Sequence, residues 1–133
     1  MSEKYYANYL TVSQSYRLNL ACRVLWDAFP TAVCICLVGS SLIRKDWRDI
    51  DVRVMLYKQD YDLLFPRAPE NPQGHAAWDL ICNSISDFLA AQSGLPVDFQ
   101  IQEMEFANKN FGGQEHKRSA LGLCINREKE PAQ

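Results

Sequence analysis

No apolar run in this chain approaches the roughly 20 residues that a transmembrane helix needs. The opening MSEKYYANYLTVSQSY holds no signal-peptide core. Basic charge is not in excess either: 14 Lys and Arg stand against 16 Asp and Glu, a net charge of −2. That excludes a global basic field of the kind that draws nucleic acid, although a local basic patch can still bind phosphate. The five cysteines are an odd number without framework spacing. The one close pair, Cys34-Ile35-Cys36, lacks the two-residue spacer of a redox or zinc motif. Cys22, Cys34, Cys36, Cys82 and Cys124 therefore read as packed thiols in a reducing, cytoplasmic compartment. The only histidines, His75 and His116, fall in polar loops with no ligand spacing and read as surface residues. There is no internal repeat, low-complexity run or domain boundary. What remains is a chain of 133 residues, 47% apolar and 23% charged, which is ordinary for one globular domain with a real core.

Helix and strand patterns alternate along it. From Ser13 to the stop at Pro30 a helix is expected, with Tyr16, Leu20 and Val24 at four-residue spacing and Leu18, Ala21, Cys22, Leu25 and Ala28 widening the stripe. Ala32 to Val38 is nearly all apolar and rich in β-formers, as a central strand should be. Gly39-Ser40-Ser41 breaks it. Leu42 to Trp47 suggests one or two helical turns, Arg48 to Tyr57 a second strand, and Asp60 to Phe65 a brief helix. RAPENPQG is a loop by composition. His75 to Ser93 reads as a second long helix with a stripe of Trp78, Ile81, Cys82, Ile85, Phe88 and Leu89, capped by Gly94 and stopped by Pro96. Val97 to Met104 alternates as a third strand, followed by a short helix over Glu105 to Asn110. From Phe111-Gly112-Gly113 onward a polar tail is expected. Residues 1–12 and 127–133 read as the ends that fray.

The stretch VCICLVGSSLIRKDWRDIDVRVML, Val33 to Leu56, carries the chemistry. Asp49 and Asp51 are two residues apart. On a strand both would project from one face, with Ile50, Val52, Val54 and Leu56 on the other. Asp98 lies on the polar face of the third strand, beside Gln100 and Gln102. Three carboxylates from two strands next to a Gly-Ser turn suit magnesium, with manganese as the alternative, and a phosphate chain. In that reading Asp49, Asp51 and Asp98 are both metal ligands and catalytic, Asp98 helping to activate an incoming hydroxyl. Gly39 lets backbone approach the phosphates, Ser40 and Ser41 add hydroxyls and amides, and Arg44, Lys45 and Arg48 balance phosphate charge. Arg53 shares the face of the two aspartates, as a phosphate ligand or as a salt-bridge partner that holds them apart. Lys117 and Arg118 stand in the tail, either closing over a bound nucleotide or solvated. Gln100 and Gln102 line a substrate groove or a solvated sheet face.

Strand, Gly39-Ser40, spacer and Asp49-Ile50-Asp51-Val52 together resemble the signature of the DNA polymerase β-like nucleotidyltransferase superfamily. Asp98 in LPVDFQIQ falls where that superfamily places its third carboxylate. With the late KRSALGL, the likeness runs from Val33 onward and is to small nucleotidyltransferase-like proteins of bacteriophages and bacteria. The spacer between Ser40 and Asp49, residues 41–48, is slightly short for the family, and Ser41-Leu42-Ile43-Arg44 stands where minimal members often carry Arg-Gly. The resemblance implies an α+β fold with helices packed on a small mixed sheet. It implies transfer of a nucleoside monophosphate from a triphosphate such as ATP to an acceptor hydroxyl, a protein or a nucleic acid end among the options, with release of pyrophosphate. A partner protein or a homo-oligomer would help so small a chain choose its acceptor; no membrane is involved. The rival reading is a non-catalytic module that keeps the cleft and binds nucleotide or a protein partner.

Overall fold

The computed structural model describes residues 8–111 and 117–122. His116, Cys124, Gly112, Gly113 and both expected frayed ends, apart from residues 8–12, lie outside them. The element order is α1 (Val12–Ala28), β1 (Cys34–Val38), a 3-10 turn (Ser40–Leu42), β2 (Ile50–Leu56), α2 (Lys58–Leu64), α3 (Ala76–Ser93), β3 (Val97–Glu103), α4 (Met104–Phe111) and β4 (Ser119–Ala120). The fold is α+β. Its mixed four-stranded sheet has the order β3-β2-β1-β4, in which β1 runs antiparallel to β2 and β4, and β2 runs parallel to β3.

Alternation sorts each strand between two faces. Ile35 and Leu37 of β1, the even-numbered residues Ile50 to Leu56 of β2, and Phe99 and Ile101 of β3 are buried in the main core. Against them pack Leu18, Cys22 and Leu25 of α1 and Trp78, Cys82 and Leu89 of α3. On the opposite face a small cluster of Cys36, Met55 and Ala107, flanked by Cys34 and Met104, seats α4 and leaves the rest of that face open.

The helix ends follow local chemistry. Thr11 caps α1 through a box with Gln14: its hydroxyl accepts from the Gln14 amide while the Gln14 side chain accepts from the Thr11 amide. Gly94 closes α3 in the left-handed conformation at φ 74°. His75, expected as a plain surface residue, is the N-cap of α3, and its Nδ1 accepts from the Trp78 amide at 3.4 Å.

Four expectations need correction. The α1 row of Tyr16, Leu20 and Val24 is exposed, because Leu18, Ala21, Cys22 and Leu25 form a second apolar stripe and that one faces the sheet. Phe88 of α3 is likewise 45% exposed. The turn after β1 is one 3-10 turn over Ser40–Leu42, not a helix over Leu42 to Trp47. The tail contributes a two-residue strand, β4, paired with β1 at Cys36↔Ala120 and Leu37↔Ser119.

β3 ends the sheet, and an edge strand leaves backbone groups without a ladder partner. Side chains of α3 take two of them: the Phe99 amide donates to Ser86 Oγ at 2.8 Å, and Trp78 Nε1 donates to the Ile101 carbonyl at 2.9 Å. Trp78→Phe keeps most of the buried ring and removes that one N–H. We expect a loss of about 1–3 kcal/mol in urea unfolding, the cost of leaving a buried carbonyl unpaired; an unchanged midpoint would mean that water replaces the indole.

Candidate active site

Register builds the site in rows across the open face. Residues in register on neighbouring strands point the same way. The first row is Val38–Asp51–Asp98, the second Cys36–Arg53–Gln100, and the third Cys34–Met55–Gln102. The acidic row lies at the end of the sheet where β1 exits into Gly39 and where β2 and β3 begin. Asp51 and Asp98 are therefore neighbours on parallel strands.

Arg53 is the cation between them. It is only 9% exposed. Its Nη1 donates to the Val52 carbonyl at 3.0 Å and to the Asp98 carbonyl at 2.8 Å, which ties β2 to β3. Its Nη2 stands 3.8 Å from Asp51 Oδ1 and 3.6 Å from Asp98 Oδ2. Those distances give charge compensation without a hydrogen bond, so carboxylate lone pairs remain available. Arg53 is thus an ion-pair partner of both carboxylates, and it also lines the cavity over this face.

Burial raises the pKa of Asp51, and the negative charges of Asp98 and Asp49 raise it further, against the pull of Arg53. Gly39 explains why Asp51 can sit where it does. Gly39 has φ +82°, and a Cβ there would lie 2.1 Å from Asp51 Oδ2. Only glycine lets the carboxylate rest on the turn.

A cavity of about 550 Å³ opens over these rows. Gly39, Ser40 and Arg44 line it beside Asp51, while Lys117 and Arg118 line it from the segment leading into β4. Arg118 Nη1 is bonded to Asn108 Oδ1 at 3.0 Å, and its buried Nη2 has no hydrogen-bond partner among the described residues. Continuing the β1–β4 register past Leu37↔Ser119 sets Arg118 opposite Val38, in the acidic row. Arg118 also helps lower the Cys34 thiol to about 7, an effect owed first to a hydrogen bond with Cys36, whose own pKa is correspondingly raised.

The expected residues do not all meet. Asp49 precedes β2 and is exposed, so strand alternation does not place it beside Asp51, although its charge is still felt there. Ser41 is fully buried, lies outside the cavity lining, and its hydroxyl has no hydrogen-bond partner among the described residues. Lys45 and Arg48 are exposed and also outside the lining. Among the described residues no group of three or more His, Cys, Asp and Glu side chains is placed to hold a metal ion. The donor set that is present, Asp51 with Asp98, suits one hard cation completed by phosphate oxygens and water rather than an all-protein cage. Several lining residues had no stated site role in the sequence, among them Met55 of β2, Gln73, in a loop read only by composition, and Phe111, the last residue of α4.

Because folding raises the Asp51 pKa, its ionised form costs stability. That cost is absent below the unfolded-state pKa of about 3.9 and grows as pH rises through the folded-state value. Asp51→Asn should therefore melt above wild type near about pH 7, with the gap closing toward about pH 4; a gap that widens on acidification would mean that attraction to Arg53 outweighs burial. Gly39→Ala should lose about 1–3 kcal/mol from the left-handed φ alone, and more from the clash. Thermal melts should show a smaller loss in an Asp51→Ala background, where the carboxylate oxygen is gone. Compared with known proteins, the chain matches no family model, no curated protein and no solved structure.

Proposed function

We propose that the chain is a small metal-dependent nucleotidyltransferase that moves a nucleoside monophosphate from a nucleoside triphosphate to an acceptor hydroxyl. The observation that carries this is the side-by-side placement of Asp51 and Asp98 on neighbouring strands, with Asp51 packed against the Gly39 turn and lining a cavity together with Arg44 and Arg118, while Asp98 lies outside that lining. The superfamily resemblance of the Gly-Ser and Asp-x-Asp segments points the same way, and the spacing of Asp49 belongs to that resemblance more than to the geometry.

Asp51 and Asp98 would hold magnesium, or manganese, together with phosphate oxygens. When bound, the cation neutralises phosphate charge and polarises the α-phosphate. The residues of the chain account for the remainder. Ser40 and the backbone of the turn face the phosphates, and Arg44 and Arg118 balance the charge of the departing pyrophosphate. Asp98, half exposed, accepts the proton of the acceptor hydroxyl as its oxygen bonds to the α-phosphorus and the bond to the bridging oxygen breaks. Arg53 fixes both carboxylates through the backbone of β2 and β3.

Arg53 also favours a second reading. A guanidinium already compensates the carboxylates, which suits a module that binds nucleotide without turnover and regulates a partner. The two readings separate in one assay. With labelled triphosphate, magnesium and a cell lysate as the acceptor source, a transferase releases pyrophosphate and labels an acceptor. Asp51→Asn and Asp98→Asn should each lower that rate by about 100-fold or more. A nucleotide-dependent thermal shift without pyrophosphate release would establish the binding module instead, and neither signal would dismiss both.

A further inference from the structure

We infer that Gln100 and Gln102 hold the base of the nucleotide by its hydrogen-bonding edge, and hold it without choosing among the four bases. This rests on the nucleotide reading above and adds the orientation of the ligand and the chemistry that grips its uncharged end.

The cavity is polarised along the strands. The end beside the Gly39 turn carries Asp51, Arg44 and Arg118. Moving up β3 from Asp98 to Gln100 and Gln102 leads away from that turn. At about 3.3 Å per residue, Gln102 lies about 13 Å from Asp98. Arg53 lines the cavity in the row of Gln100, with its guanidinium turned back toward the Asp98 carbonyl; beyond that row, Met55, Gln73, Gln102 and Phe111 line the cavity and none of these described residues is charged. A ligand that fits both ends has an anionic head and a neutral, flat tail rich in hydrogen-bonding groups.

The two amides are preset for such a tail. Gln102 Nε2 donates to Gln100 Oε1 at 3.3 Å. One amide therefore uses a donor and the other an acceptor, so the pair retains one outward carbonyl and one outward NH₂. Turning both amides together keeps their mutual bond and exchanges the donor with the acceptor. Each nucleobase has a neighbouring donor and acceptor on its edge, in one order or the other, so the pair can match any of them.

The test is calorimetric titration of the full chain, with magnesium, against ATP, GTP, CTP and UTP and against inorganic tripolyphosphate. Wild type should bind the four nucleotides within a few-fold of one another and all of them more tightly than tripolyphosphate. The Gln100→Met, Gln102→Met double variant keeps side-chain length and removes the amides. It should lose about tenfold or more in nucleotide affinity, the loss of two ligand hydrogen bonds, while binding tripolyphosphate as wild type does. Unchanged tripolyphosphate binding also reports that the variant is folded. The inference is overturned if wild type binds tripolyphosphate as tightly as nucleotides, if the double variant loses both ligands equally or neither, or if one base is preferred by a hundredfold. Wild type that binds neither class of ligand would instead overturn the nucleotide reading on which the inference stands.

Discussion

Two carboxylates side by side on parallel strands repel, and the fold answers with a buried guanidinium. Arg53 does not neutralise Asp51 and Asp98 by hydrogen bonding to them; its Nη1 is directed at the Val52 and Asp98 carbonyls. The charge is thereby locked to the backbone of β2 and β3 rather than to the acids. This arrangement holds Asp51 and Asp98 together while leaving their oxygens without a hydrogen bond to Arg53. It also joins the site to the sheet: any shift in the β2–β3 register would pull Arg53 off its carbonyl and separate the acids by a whole residue.

The same pairing organises the rest. β2 and β3 run parallel, so the chain must cross over between them, and α2, the proline-rich loop and α3 make that crossing. α3 returns over the core face and uses Trp78 and Ser86 to occupy the outer side of β3. The opposite face is freed for the cavity, with α4 covering only the part of it above Cys36 and Met55. The acidic row and the main core thus lie on opposite sides of one sheet, separated by the alternation of side chains along β2.

Much of this was legible in the residues. Alternation in IDVRVML and VDFQIQE set which side chains face the core, and Gly94 and Pro96 marked the end of α3 to the residue. Other features depended on partners that local pattern does not encode. α1 is apolar on two faces, and only docking on the sheet selects the Leu18–Leu25 stripe over Tyr16–Val24. A strand of two residues has no periodicity, so β4 passed as tail. Asp49 looked equivalent to Asp51 because the strand was expected to begin at Arg48, whereas pairing with β3 starts at Ile50. The parallel register that sets Asp51 opposite Asp98, and the carbonyls that fix Arg53, are tertiary facts. Ser41, a polar residue in a turn motif, is buried by the N-terminal strap, where the Tyr9 amide donates to the Ser41 carbonyl at 2.7 Å.

The occupied edge of β3 has a consequence for how copies of the chain can meet. Sheets commonly polymerise by annealing one molecule's open border to the next. Here the long border is shielded by an indole and a hydroxyl from α3, and the other border, β4, offers a template only two residues long. Such a sheet has little purchase for intermolecular annealing along either described border.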